Sequence, residues 1–171
     1  EAAGGTAPGF QAEGFVKPAR VELVREGAYV GCLTSPRSGL EFGVSHNGAD
    51  GSEAPTSLAM APGDLPEARA LEALGTGVWV SNLWYLNHSD RSQGRFTGMT
   101  RFATMWVEDG VPVAPLAVMR FDDSLVELFG ERLEGVGDRA ELLPSLETYG
   151  MRSTASMRLP GVLLSGLRFT L

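Results

Sequence analysis

Val78-Trp79-Val80-Ser81-Asn82-Leu83-Trp84-Tyr85-Leu86 is a run of β-branched and aromatic residues, and it reads as a strand. Just upstream, Asp64-Leu65-Pro66-Glu67 opens a helix. Asp64 is placed to cap free N–H groups, Pro66 fits the first turn, and Glu67 completes a capping-box-like spacing. Leu65, Ala68 and Leu71, with Ala70 or Leu74, give the helical stripe, and Gly75 and Gly77 stop it. Downstream, residues 87–98 are polar, carry His88, Asp90, Arg91 and Arg95, and read as a loop. Residues 101–107 form a strand, Glu108-Asp109-Gly110 a turn, and residues 111–117 the return strand. Asp122 or Asp123 then caps a helix that points Leu125, Leu128, Phe129 and Leu133 inward and ends at Gly135 or Gly137. After a loop through Pro144 and Gly150, residues 162–171 close as a strand.

Toward the N-terminus, residues 1–19 are small, polar and broken by Gly and Pro, so they read as loop. Val21 and Leu23 face Tyr29-Val30-Gly31-Cys32-Leu33 across Arg25-Glu26-Gly27, a hairpin pattern. Residues 35–42 form one helical turn or two, ended by Gly43; residues 44–55 are loop, and residues 56–61 a short strand. The segment 23–33 aligns without a gap on 106–116. Each is followed by a short segment that ends in an acidic residue, apolar residues and glycine: Glu41-Phe42-Gly43, and Glu127-Leu128-Phe129-Gly130. The match hints at an internal duplication. The expected class is α+β, mostly β: antiparallel sheets and hairpins in a barrel-like or sandwich domain with about two helices. Residues 1–13 read as a linker or a truncated edge, and residues 14–171 as one domain.

The chain has 171 residues, enough for one self-sufficient core. At 43% hydrophobic and 20% charged residues, wholesale disorder is excluded. Net charge is −7, which repels phosphate backbones and argues against nucleic acid as a partner. All basic residues but Lys17 are arginine, which reads as compositional bias. A single cysteine, Cys32, allows no internal disulfide and no multi-thiolate zinc site, and it fits a reducing, cytoplasmic setting. No run reaches the roughly 18 apolar residues of a membrane span.

No Gly-x-Ser-x-Gly elbow, Gly-rich phosphate loop or His-Glu-x-x-His helix is present. His46, His88 and Asp90 are the material for a metal or acid–base site, set against the plainer reading of solvated loop histidines. Cys32, among apolar strand neighbours, reads as a buried, inert thiol. Trp79, Trp84 and Tyr85 alternate with polar residues: core packing is the first explanation, the aromatic wall of a peptide-binding cleft the second. Arg91, Arg95 and Arg101 read either as carboxylate receivers or as a solvated, charge-balanced loop. The residues alone therefore define no self-contained catalytic set.

In combination, the order of features from Gly14 to Leu171 resembles the C-terminal domain of the TldD/PmbA family, once called modulators of DNA gyrase and regarded as metallopeptidases or their partner subunits. The pieces that carry the resemblance are Ala12-Glu13-Gly14, Ala61-Pro62-Gly63-Asp64-Leu65, and Leu74-Gly75-Thr76-Gly77-Val78-Trp79-Val80 leading into Asn82-Leu83. They continue in Trp106-Val107-Glu108-Asp109-Gly110 with Pro115, and in Leu159-Pro160-Gly161-Val162-Leu163-Leu164. The loop at 87–104 has fewer glycines than the family pattern. The resemblance implies a peptidase assembly whose metal-bearing members hold zinc with a His-Glu-x-x-x-His helix and a later Cys-Gly-Lys. The first lies upstream of this region, and the stretch matching the second, Tyr149-Gly150-Met151-Arg152-Ser153, has no cysteine. The implied reading is a metal-free, PmbA-like subunit with no catalytic and no metal residues of its own and no cofactor in this chain. It would bind an extended peptide or unfolded protein and pair with a sister TldD-like subunit or a second copy. The cleft walls fall on residues 78–86 and 101–107, with Asn82, Leu83, Trp84, Arg91, Arg95, Arg101 and Trp106 as peptide-binding candidates. The alternative is a protein-binding regulator, for example of gyrase, without a peptidase role.

Overall fold

The computed structural model describes residues 5–170. The linker expected over 1–13 thus lies partly outside the described residues, as does Leu171 of the expected last strand. The chain divides into two compact units, Glu1–Ala61 with Ala140–Leu159, and Pro62–Arg139 with Pro160–Leu171.

The first unit opens with the expected hairpin. Strands β1 (Val24–Arg25) and β2 (Ala28–Tyr29) pair antiparallel. Glu26 (φ 50°) and Gly27 (φ 78°) both take left-handed backbone, the requirement of a two-residue hairpin turn whose twist matches the strands. Helix α1 (Pro36–Phe42) follows. The Ser35 hydroxyl accepts from the Ser38 N–H at 3.1 Å, Pro36 opens the first turn, and Gly43 closes the helix at φ 66°. Strand β3 (Ser57–Ala59) is the short strand expected there.

In the second unit a 3-10 turn (Glu67–Arg69) leads into α2 (Ala70–Leu74). The helix is real, but Asp64 does not cap it. Pro66 is extended at ψ 128°, and the Glu67 N–H is satisfied by Asp138 Oδ1 at 3.0 Å, from far along the chain. Strands β4 (Gly77–Asp90) and β5 (Arg95–Glu108), 14 residues each, form a long hairpin. This corrects the polar loop expected at 87–98: only Arg91–Gly94 turn, held by Asp90 Oδ1, which accepts from the Ser92 N–H, the Ser92 hydroxyl and the Gln93 N–H. Polarity there marks exposed strand, because β4 has a partner on one side only. Strand β6 (Val111–Pro115) returns through Asp109 (φ 47°) and Gly110 (φ 78°), the same turn as at Glu26-Gly27. The likeness of the two hairpins lies in this turn chemistry and in a Ser-capped helix after each.

Strand β7 (Arg120–Ser124) stands where a helix start was expected. Helix α3 (Leu125–Leu128) is one turn, capped by Ser124 and not by Asp122 or Asp123, which lie in β7. Phe121 and Asp123 are almost wholly buried there, and that burial outweighs local helix signals. Leu133 begins strand β8 (Leu133–Pro144), which two glycines and four charged residues had hidden from the sequence pattern. Strand β9 (Ser156–Leu164) starts six residues before the expected 162, and β10 (Phe169–Thr170) pairs antiparallel with β7.

The result is mostly β, as expected. One sheet runs β10-β7-β5-β4, with β6 alongside β7 on the same flank of β5; another runs β3-β9-β8. The β1–β2, β4–β5, β5–β6, β5–β7 and β7–β10 pairs are antiparallel, and β3–β9 is parallel. Neither sheet closes into a barrel among the described residues. The described residues hold three α-helices, all short, where about two were expected. No helix among the described residues is long and apolar enough to cross a membrane. The second unit's core centres on β5 and β7: Val107, Thr100, Thr104, Phe121, Asp123 and Leu128 are buried.

Candidate functional site

β5 supplies the centre of the site and β4 its rim. Across the antiparallel pair, Asn82 faces Arg101, Leu83 faces Thr100, and Trp84 faces Met99. Side chains alternate, so Asn82, Trp84, Met99 and Arg101 share one face of the hairpin, while Leu83 and the buried Thr100 share the other. Within the first set Arg101 stacks its guanidinium 4.0 Å from the Trp84 ring centroid, a diagonal cross-strand contact.

Three register shifts interrupt the β4–β5 ladder: one near the turn, between His88 and Asp90, and two that flank the site. Between Val80 and Asn82 the extra residue is on β5; between Trp84 and Asn87 it is on β4. The two bulges beside the site each hold an aromatic residue in left-handed backbone, Phe102 at φ 61° and Tyr85 at φ 59°. That conformation is costly for a bulky side chain and marks a place where surrounding structure over-determines the backbone. It also re-aims side chains. Phe102 should point away from its neighbour Arg101, yet its ring lies 4.9 Å from the same guanidinium. Phe102 is 74% exposed and Tyr85 70%.

Of the sequence candidates, the fold brings Asn82, Trp84 and Arg101 together. Leu83 is on the opposite face. Arg95 sits at the hairpin end, about 20 Å along the strand from Arg101. It is ion-paired with Asp122 and donates to the Asp122 carbonyl at 3.3 Å. The Ser89 hydroxyl and the Arg95 guanidinium together hold the Asp122 carboxyl below its ordinary pKa. Arg91 is exposed in the turn. Trp106, about 16 Å from Arg101 in the other direction, donates from Nε1 to Glu108 Oε1 at 2.8 Å. The three arginines thus do not form one cluster.

Core packing does not explain the aromatic run: Trp79 is 41% exposed and Trp84 47%. Sequence reasoning missed Met99 and Phe102 as site members, and it named Tyr85 only as part of an aromatic wall. Tyr85 stood inside the quoted run, but nothing local announces a bulge, which arises from mismatched register between two strands.

The remaining chemistry is dispersed. His88 packs on Phe96 at 4.0 Å, and Asp90 caps the turn, its pKa lowered first by the Ser92 hydroxyl and then by the Gln93 N–H. His46 lies in the other unit, edge-on to Phe15 at 5.4 Å, its Nδ1 accepting from the Gly48 N–H. Cys32 is exposed, which corrects the buried thiol expected there: β2 ends at Tyr29, so the apolar neighbours form no covered strand. Its Sγ lies 3.4 Å from the Thr34 hydroxyl. Among the described residues no three His, Cys, Asp or Glu side chains converge as a metal set.

The family model described as the PmbA/TldA metallopeptidase C-terminal domain matches residues 2–171. No curated protein matches the sequence. Among solved structures, a proposed modulator of a DNA gyrase from Thermotoga maritima MSB8 is similar over 96% of this chain and 36% of that one, at 17% identity and TM-score 0.76. TldE from Thermococcus kodakarensis gives the same four figures. A proposed modulator of DNA gyrase from Bacteroides thetaiotaomicron VPI-5482 has 18% identity and TM-score 0.68, over 96% of this chain and 33% of that one. The chain spans about a third of the length of these structures, and at such identities the likeness is one of fold.

Proposed function

The chain belongs to the PmbA/TldA metallopeptidase family as a C-terminal domain, and on that premise we propose that it is a metal-free, non-catalytic domain of a peptidase assembly, binding extended peptide and pairing with a sister subunit. The observation that carries this reading is β4. Its 14 residues pair with β5 on one side, and no strand among the described residues pairs with the other. An open edge offers main-chain donors and acceptors to an extended polypeptide with little demand on its sequence. The exposed Trp79, Trp84, Tyr85 and Leu86 add apolar surface beside that edge.

The reaction itself then belongs to a partner that holds the metal. In this chain the work is orientation: main-chain pairing fixes the peptide's direction, and the aromatic face limits its rotation. The test is expression of the complete reading frame, with metal content and cleavage of an unstructured peptide measured alone and with a metal-bearing sister subunit. The expected result is substoichiometric zinc and no cleavage alone, with cleavage in the mixture. Stoichiometric zinc with cleavage by this protein alone overturns the reading. The names of two structural neighbours favour a second one, a protein-binding modulator of DNA gyrase. Net charge −7 is unsuited to direct DNA contact but not to protein contact. Retention of gyrase subunits, with no sister subunit, in a pull-down from cell extract would favour it over the first.

A further inference from the structure

Arg101 is an arginine held ready without an acidic partner. Arg95 and Arg132 of the same unit are ion-paired to Asp122 and Asp123, and Arg69 and Arg139 to Glu72 and Glu67. Arg101 has no carboxylate within ion-pair distance among the described residues; its neighbours are the rings of Trp84 and Phe102. A guanidinium stacked on rings loses rotamer freedom while its N–H edge keeps the planar fork that fits a carboxylate. Phe102 reaches it only because the bulge turns that residue into left-handed backbone, so the arrangement depends on a strained local geometry and not on ordinary alternation.

From this geometry we infer that Arg101 is a recognition point for an acidic side chain, Asp or Glu, of an extended peptide paired along the open edge of β4. The inference rests on the peptide-binding reading above and adds a preference to it. An added strand places alternate side chains on the face that carries Asn82, Trp84, Met99 and Arg101. A carboxylate there gains charge-assisted hydrogen bonds from a donor already fixed in place. The preference opposes the protein's own net charge of −7, which on long-range grounds disfavours acidic peptides. An acidic preference is therefore not a by-product of the global field.

The experiment is fluorescence anisotropy on the protein expressed from its complete reading frame. The probes are two unstructured peptides, acetylated and amidated at their ends and differing only in one central Glu or Gln. The capped ends remove the terminal carboxylate as a source of binding; a third, uncapped Gln peptide measures that source separately. The unmodified protein is expected to bind the Glu peptide about tenfold tighter than the Gln peptide. In Arg101→Gln the ratio falls to about one, and in Arg101→Lys, which keeps charge but not the fork, it is intermediate. Equal affinity for the Glu and Gln peptides, or a Glu preference that survives in a folded Arg101→Gln, overturns the inference and leaves peptide binding standing. Preference only for the uncapped peptide overturns the side-chain assignment. Binding of no peptide overturns both the inference and the reading beneath it. The Glu-to-Gln comparison on the unmodified protein needs no variant to fold.

Discussion

β4 and β7 flank the same strand and use their side chains in opposite ways. On one side of β5, β4 leaves Trp79, Leu83, Trp84, Tyr85 and Leu86 each more than a third exposed. On the other, β7 buries Phe121 to 3%, Asp123 to 1% and Ser124 to 6%. Apolar content alone would rank them the other way. The difference is coverage: β7 lies between β5 and β10, whereas β4 has β5 alone. Covered on both sides, β7 can hold even a charge. Asp123 accepts from Arg132 Nη1 at 2.8 Å, the Arg168 N–H at 2.8 Å and the Ser124 N–H at 2.9 Å, so its burial is matched by three donors. Gly98 of β5 shows how the flanks meet. A Cβ there would lie 2.9 Å from both Leu86 Cδ2 and Phe121 Cε1, so glycine lets side chains from both flanks close over the central strand.

The strongest way to break the contrast is Phe121→Ala, expected to cost about 3–5 kcal/mol because it empties a packed site. Chemical denaturation measures it; a loss below about 1 kcal/mol would mean that β7 is not core. Asp123→Ala comes next, at about 3 kcal/mol, since it leaves two N–H groups without their acceptor and Arg132 with Glu127 as its one remaining carboxylate among the described residues. Burial pushes the Asp123 carboxyl upward, but the Arg168 and Ser124 N–H groups and Arg132 outweigh it, leaving a net pKa below the ordinary value. A depressed folded pKa gives stability that is present above the unfolded pKa of about 3.9 and lost as pH falls through the folded one. Stability of the unmodified protein should therefore drop on acidification below about pH 4, and Asp123→Asn should flatten that part of the profile. The smallest effect belongs to β4. Tyr85→Gly removes a bulky residue from left-handed backbone at a largely exposed position and should raise stability by up to about 1 kcal/mol. A loss greater than about 1 kcal/mol would mean that Tyr85 packs as core and would erase the distinction between the flanks.

Local chemistry was legible wherever one residue type permits one backbone. Glu26-Gly27 and Asp109-Gly110 made the turns they announced, and Ser35, Pro36 and Gly43 bounded α1 where expected. Legibility failed where distant partners decide. The 87–98 segment is strand because β5 pairs with it; Glu67 is capped by Asp138 and not by Asp64; Asp122 and Asp123 belong to a strand because Arg95, Arg132 and β10 claim them. The same holds at the site. The aromatic residues of 78–86 and Arg101 were visible as candidates, but their meeting was not, and neither was the part played by Phe102.

By itself, then, the amino-acid order determined the β-rich class, the two tight turns, the first helix and the family likeness, because each rests on contacts within a few residues or on a pattern summed along the chain. Only the tertiary structure decided which strands are covered, where the ladder slips by one residue, and which arginine is left facing a pair of rings. Those outcomes depend on register between segments far apart in the chain, and a single shifted residue reverses which side chains share a face.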